Sequence, residues 1–368
     1  MISKYCSSGA QCVYECFGYY SAFKYYNANG VPMQIEVPYD KYDDVINEMQ
    51  KCIDRGEIKG ARRAEEFINK GVVTYKQAKN FFKYSKSELI QYDEANDMIK
   101  CEYEGGVSAA IKSAFSSYND KPFDENSIKA GINFIVENPF KIIYKNVKKN
   151  SNVSDIMKLI VGGFFAQVFY YNHIDEPSPN LNLLYFFTAL IAVVLIYGRD
   201  IINVFRSRMS FKQFIKNVLI YTAGAIGMIL GVIIGVKILR LIEDEVIKLN
   251  GLLILLVIAI LFLFIFYKAA KIILDKYIKV DDFGMMFQII ETEFNHVAFD
   301  YLLSEHEAKE MIKFLSNDLK KYDKIKDEDG LGKLRDMYAS DNRNRFAYDW
   351  LADYADTFIK QRPNIYLP

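Results

Sequence analysis

Between Lys216 and Lys237 the chain runs for 20 residues without one charged side chain, NVLIYTAGAIGMILGVIIGV. At a rise of about 1.5 Å per residue, a helix of this length measures roughly 30 Å, the depth of a bilayer's hydrocarbon core. Gly227, Gly231 and Gly235 recur at every fourth position, with Gly224 just ahead of them. Residues four apart share one face of a helix. The glycines therefore make a stripe where another helix backbone can come close, and in lipid such van der Waals contact is a main attraction. The partner is either a helix of the same chain or a neighbouring subunit; in the second case Gly224, Gly227, Gly231 and Gly235 are pore or oligomer contacts. Few polar side chains beyond Tyr221 and Thr222 interrupt the run. A water path beside it is then walled by backbone and small groups, and it can gate by dewetting.

Three other apolar segments accompany this one. Residues 159–174 lie between Lys158 and Asp175, residues 181–198 between Glu176 and Arg199, and residues 249–267 include LLILLVIAILFLFIF. The first is short for a span; the others reach the required length. Flanking charge alternates along the series. Lys141, Lys145, Lys148, Lys149 and Lys158 precede the first segment, whereas the loop after it carries only Asp175 and Glu176. The next loop is basic, the third is balanced, and Lys268, Lys271, Lys276 and Lys279 follow the last. Four spans, at about 159–174, 181–198, 217–236 and 249–267, with both termini in the cytoplasm, satisfy the positive-inside rule. The expected location is a bacterial inner membrane. A mean hydropathy of −0.01 fits a chain that is part membrane and part soluble.

The soluble ends read as helical. Residues 1–150 form the first, with a short strand at Met33 to Val37, an amphipathic helix from Asp40 to Cys52, a second helix from Ala61 to Ile68, and a third capped by Thr74. Val107 to Ser117 and Ser127 to Val136 complete it. Residues 281–368 form the second. Ser304 and Glu307 make a capping box that opens a helix to about Lys321, and two more helices cover Leu334 to Met337 and Phe346 to Lys360. The expected fold is an all-α membrane protein: four transmembrane helices in residues 151–270 between helical cytosolic amino- and carboxy-terminal domains.

No catalytic motif emerges. There is no phosphate loop, nucleophile elbow or HExxH, and the spans hold no acids of the kind that mark a proton relay. The expectation is a protein that is not an enzyme and carries no cofactor. Cys6, Cys12, Cys16, Cys52 and Cys101 all precede the spans, and MISKYCSSGAQC offers no apolar core for a cleaved leader. Cytosolic thiols stay reduced. His173, His296 and His306 are all distant in sequence from the cysteines, so buried or free thiols are expected rather than a metal site. One constellation could hold an anion. Arg199, Arg206, Arg208, Lys212 and Lys216 alternate with Phe205, Phe211 and Phe214. Arginine forks match phosphate, and aromatic rings stack on bases. Lipid headgroups satisfy the same chemistry. Arg62 and Arg63 could serve the same role.

Several segments together resemble a family of poorly characterised bacterial inner-membrane proteins of prophages and defence islands. They are GVVTYKQAKNFFK at 71–83, RDIINVFRSRMSFKQFIKN at 199–217, the glycine-rich span after it, and LLSEHEAKEM, LRDMYASDNRNRFA and RPNIYLP in the tail. The chain departs from that family at 107–198, which is more aromatic and aliphatic than its relatives' Gly/Ala-rich stretches. The resemblance implies an effector that damages the cell's own membrane. In the Hailong-type arrangement, a nucleotidyltransferase partner makes a single-stranded oligonucleotide that holds a membrane channel closed. On this reading the chain is a homo-oligomeric pore in the lipid bilayer, gated by a nucleotide or oligonucleotide. The alternative is a non-conducting scaffold that tethers cytosolic helical domains to the membrane.

Overall fold

The computed structural model describes residues 2–18, 25–85, 90–101, 105–116, 139–146, 197–198, 200–241, 251–279, 281–320 and 330–362. The chain divides into two compact units. One joins residues 1–139, 291–314 and 347–368; the other joins 140–290 and 315–346.

The first unit is built on a sheet, so the all-α expectation is corrected here. Five strands, β1 (Ile2–Cys6), β2 (Ile35–Val37), β3 (Ile68–Lys70), β4 (Ile90–Asp93) and β5 (Met98–Cys101), lie in the order β3-β2-β1-β5-β4. β1, β2 and β3 are parallel; β5 runs antiparallel to β1 and to β4. Parallel neighbours need a crossover, usually a helix. Here these are α1 (Gly9–Phe17) and α2 (Tyr42–Asp54). Both pack on one face of the sheet. Cys12, Val13 and Cys16 of α1 and Val45 and Met49 of α2 bury Cys6, Ile35, Val37 and Met98. On the opposite face, Phe82 of α3 (Tyr75–Phe82) and Ile111 of α4 (Gly106–Ser116) cover Tyr5, Ile99 and Cys101. A strand points successive side chains to opposite faces, which is why Tyr5 and Cys6 belong to different cores.

The short strand expected at Met33 to Val37 is β2, and the helix expected from Asp40 is α2. The helix expected from Ala61 to Ile68 does not form. A single turn at Ala64–Glu66 leads straight into β3. Sheet pairing wins because the Ile35 N–H donates to the Phe67 carbonyl at 2.8 Å and Gln50 Oε1 accepts from the Ala64 N–H at 2.9 Å. Thr74 caps α3 in a full capping box with Gln77. The helix expected at Ser127 to Val136 lies outside the described residues.

Among the described residues this unit buries three ionic side chains, Glu293 and, on the sheet, Lys4 and Glu36. Lys4, 1% exposed, sits on the α1 side of the sheet, 3.8 Å from Glu15 and over the Tyr25 ring. Glu36 sits on the other side. Its Oε1 accepts from Tyr5 OH at 2.9 Å, Ser3 Oγ at 3.2 Å and the Ser108 N–H at 3.1 Å. The Val107 N–H donates to Ser3 Oγ at 2.9 Å. A carboxylate that meets two hydroxyls and an N–H group of a helix's first turn is one that can stay buried. Gly106 makes the approach possible: its φ is 73°, and a Cβ there would lie 1.9 Å from Ser3 Oγ. All five cysteines are buried, and none forms a disulfide.

Segments from late in the chain complete this unit. α7 (Asp282–Asp300), α8 (Glu305–Lys320) and α10 (Arg343–Ile359) contribute residues 291–314 and 347–359. α3 is their dock. Lys76 pairs with Asp300 at 2.7 Å, Lys83 pairs with Asp356 at 2.8 Å, and Gln77 and Asn80 donate to the Phe299 and Asp300 carbonyls. Leu302, at φ 48°, inserts into the α3–α4 core. Arg362 fastens the turn. It donates to both Glu307 oxygens, at 2.8 and 2.9 Å, and to the Tyr301 and Leu302 carbonyls, with its guanidinium over Phe81. Glu307 also closes the expected capping box with Ser304.

Burial alone would raise the Glu307 carboxyl, but the Arg362 and Ser304 hydrogen bonds outweigh it and hold it below its ordinary value of 4.5. Losing one partner of a fully buried pair costs about 3–5 kcal/mol. With both side chains still 15% exposed, Arg362→Ala is expected to cost about 1–3 kcal/mol. Because the folded carboxyl is depressed, this stabilisation is complete above pH 4.5 and is lost as the pH falls through the lower, folded value. The gap between wild type and Arg362→Ala in thermal unfolding should therefore be constant near neutrality and close on acidification. A gap that widens in acid would contradict this.

Candidate functional site

The second unit holds two long apolar helices, α5 (Phe211–Leu241) and α6 (Gly251–Tyr277). Within them, Phe211–Leu239 and Leu253–Tyr277 are long and apolar enough to cross a membrane, with mean hydropathies of 2.2 and 2.8. They correspond to the third and fourth expected spans. The described residues contain two such helices and not four: the expected span 159–174, and 181–198 up to residue 196, lie outside the described residues.

α5 and α6 pack antiparallel along the glycine stripe. A Cβ built on Gly227 would lie 2.6 Å from the Phe262 carbonyl oxygen, one on Gly231 2.8 Å from the Ala259 Cα, and one on Gly235 2.7 Å from Leu255. Two of these three neighbours are backbone atoms, so no rotamer change makes room. Gly224 is buried as well. The face opposite is Leu255, Ala259 and Leu263, spaced by four and fully buried. Of the two partners open to the stripe from sequence, the one occupying it at Gly227, Gly231 and Gly235 is a helix of the same chain.

An antiparallel pair brings the start of α5 and the end of α6 to one end, where polar side chains form a collar. Lys216 is buried; its Nζ pairs with Asp275 at 2.6 Å and donates to the Ile278 carbonyl at 3.0 Å. Ser210 caps α5 by accepting from the Gln213 N–H, and its own N–H donates to Asp282 at 2.7 Å. Asp282, also buried, is the first residue of α7 and accepts in addition from Tyr338 OH at 3.1 Å. Burial and the neighbouring Asp282 push the Tyr338 phenol up, so it stays a donor. Tyr338 belongs to α9 (Gly330–Ala339), as does Asp336, which pairs with Arg208 at 2.6 Å. Just inside the collar, Tyr221 and Tyr267 stack, and Tyr197 OH reaches the Val218 carbonyl and Thr222. All three tyrosines are buried and belong to the core between the helices.

The basic constellation thus splits. Arg208 and Lys216 are held by Asp336 and Asp275. Arg206 and Lys212 are exposed, and Arg199 lies outside the described residues. Arg62 and Arg63 belong to the first unit, where Arg63 pairs with Glu65. Sequence reasoning missed Asp282, Asp336 and Tyr338. Only Asp275 left a signal, as the lone acid in the basic flank after the last span. Among the described residues no cluster of His, Cys, Asp and Glu could hold a metal ion.

A family model described as the YeeR C-terminal domain matches residues 1–54, which run from β1 through α2. That family is poorly characterised. No curated protein and no solved structure matches the chain.

If the glycine face sets the helix pair, Gly231→Leu should destabilise by about 1–3 kcal/mol, the usual cost of overpacking. Leu230→Ala, on the exposed face, should stay within about 0.5 kcal/mol. Thermal unfolding of the detergent-solubilised chain separates the two. Equal effects would mean the seam does not carry the hairpin.

Proposed function

We propose that this chain is a membrane-embedded effector that assembles as a homo-oligomer around a conducting path, with the soluble parts of the chain setting the gate. The observation that supports it most is the pairing of an apolar hairpin with a polar collar. α5 and α6 are long enough to cross a bilayer, and among the described residues their outward faces are largely apolar and exposed. At one end, Asp282 and Asp336 bind the start of α5 to α7 and α9. A shift of those helices would be passed to the start of α5 through the Ser210–Asp282 hydrogen bond and the Arg208–Asp336 ion pair, which is what a mechanical gate requires.

In this reading the collar end is cytoplasmic. It carries Lys212, Lys216, Lys268, Lys271, Lys276 and Lys279, and the positive-inside rule places such an end inside. Both termini are then cytoplasmic, provided that the chain ahead of residue 199 crosses an even number of times. The membrane is a bacterial inner membrane, and opening depolarises it. The signal implied by the resemblance to Hailong-type effectors is a single-stranded oligonucleotide from a nucleotidyltransferase partner, and the setting is defence against phage.

One observation favours a second reading, a non-conducting scaffold. The glycine face that could have served a subunit contact is filled by α6 of the same chain. Reconstitution distinguishes the two. The full chain in potassium-loaded liposomes should dissipate the gradient, and nucleotides or short single-stranded DNA should change the rate. A protein that resists carbonate extraction yet passes no ions under any of these conditions is the scaffold.

A further inference from the structure

We propose that the collar end of the α5–α6 hairpin is a binding surface for anionic phospholipid headgroups, formed by Lys212 on α5 and by Lys268, Lys276 and Lys279 at the end of α6. The proposal deepens the membrane reading above and rests on it.

The argument begins with one face of α6. Leu253, Val257, Leu261 and Ile265 recur every four residues and are all more than half exposed. Residues at this spacing line one stripe, here about 18 Å long at about 1.5 Å per residue. The stripe then changes chemistry without turning inward. Lys268, Ile272, Lys276 and Lys279 continue it, all exposed, and Ile272 is 71% and Tyr277 76% exposed. α5 repeats the pattern. Its exposed Leu219 and Ile215 lead to Lys212 and to Phe211, which is 63% exposed, and Phe205 just before it is 85% exposed.

Two stripes, on antiparallel helices, thus turn from purely apolar to mixed basic and aromatic at the same end. Water alone gives no reason to expose Phe205, Phe211, Ile272 and Tyr277 beside lysines. A bilayer surface does: aliphatic stems and rings rest at the acyl boundary while ammonium groups reach up to phosphates. Charge selects the class of lipid. Among the described residues these four lysines make no ion pair, and the adjacent acids are engaged: Asp275 by Lys216, Asp281 by Tyr144 and the Gly284 N–H, and Asp282 by Ser210 and Tyr338. The exposed surface is therefore cationic, and juxtamembrane lysines attract anionic leaflets. Arg208 and Lys216, part of the basic loop read from sequence, point to carboxylates and take no part.

The test uses the full chain in vesicles of equal phosphatidylglycerol and phosphatidylcholine, with native mass spectrometry of the lipids that remain bound. Wild type should retain phosphatidylglycerol over phosphatidylcholine on the order of tenfold. K212Q/K268Q/K276Q/K279Q should fall to near parity while keeping its resistance to carbonate extraction and its unfolding temperature. Parity in the wild type, or undiminished selectivity in the variant, overturns the proposal and leaves the membrane reading standing. So does labelled single-stranded DNA that binds wild type in vesicles of phosphatidylcholine alone and is lost in the variant, because the surface then belongs to an oligonucleotide. Wild type that washes off all vesicles overturns the membrane reading itself.

Discussion

The second unit depends on the approach of two helix backbones. In lipid, apolar side chains gain nothing by leaving the solvent, so helix association rests on close van der Waals contact and on hydrogen bonds. Gly227, Gly231 and Gly235 supply the first by letting α6 reach the α5 backbone, with Ala259 as the small residue opposite. The collar supplies the second. The two are linked by geometry, because only an antiparallel pair in this register brings Lys216 to Asp275 and the Ile278 carbonyl. A side chain added in the seam would therefore disturb the polar end as well as the packing.

The first unit solves a different problem, that of holding ionic groups in a dry core. Glu36 is stable there because its neighbours on β1 are Ser3 and Tyr5 and because α4 begins beside it. Removing any of these donors would leave a buried carboxylate underbonded, which costs far more than the hydrogen bond contributes when present. Such a network ties β1, β2 and α4 together in one arrangement. The same unit recruits residues 291–314 and 347–362 onto α3 through Lys76, Lys83 and the Arg362 clasp. Chain segments separated by more than 200 residues therefore share one core.

What could be read from the sequence follows from how local each signal is. The span at 217–236 and its glycine stripe were legible because charge exclusion and four-residue spacing need no partner. So were the Thr74 and Ser304 caps, whose partners lie three residues away. Of the sheet, only β2 was legible, at Met33 to Val37. β3 has three residues, too few to show alternation, and β1 reads as polar because Ser3 and Lys4 are buried against expectation. The collar was hidden for the same reason at longer range. Nothing near Arg208 or Ser210 announces Asp336 or Asp282, which lie 128 and 72 residues downstream. The partner of the glycine stripe stayed open because spacing reports a close contact without saying whose helix makes it.

That last ambiguity bears on conduction. In the oligomeric reading proposed above, with the glycine face consumed within the hairpin, contacts between copies would draw, among the described residues, on what remains outside. Exposed along the middle of α5 are Ile226, Ile229 and Ile233, and along α6 Val257, Leu261 and Ile265. Every one is aliphatic. A path walled by these stripes alone is a hydrophobic constriction, which carries ions only when wide enough to stay wet. Its state would then be set by diameter rather than by a charged filter. In that reading a lever on the start of α5 would alter the diameter, through the Asp282 and Asp336 contacts at the helix's end, with the glycine seam coupling α5 to α6.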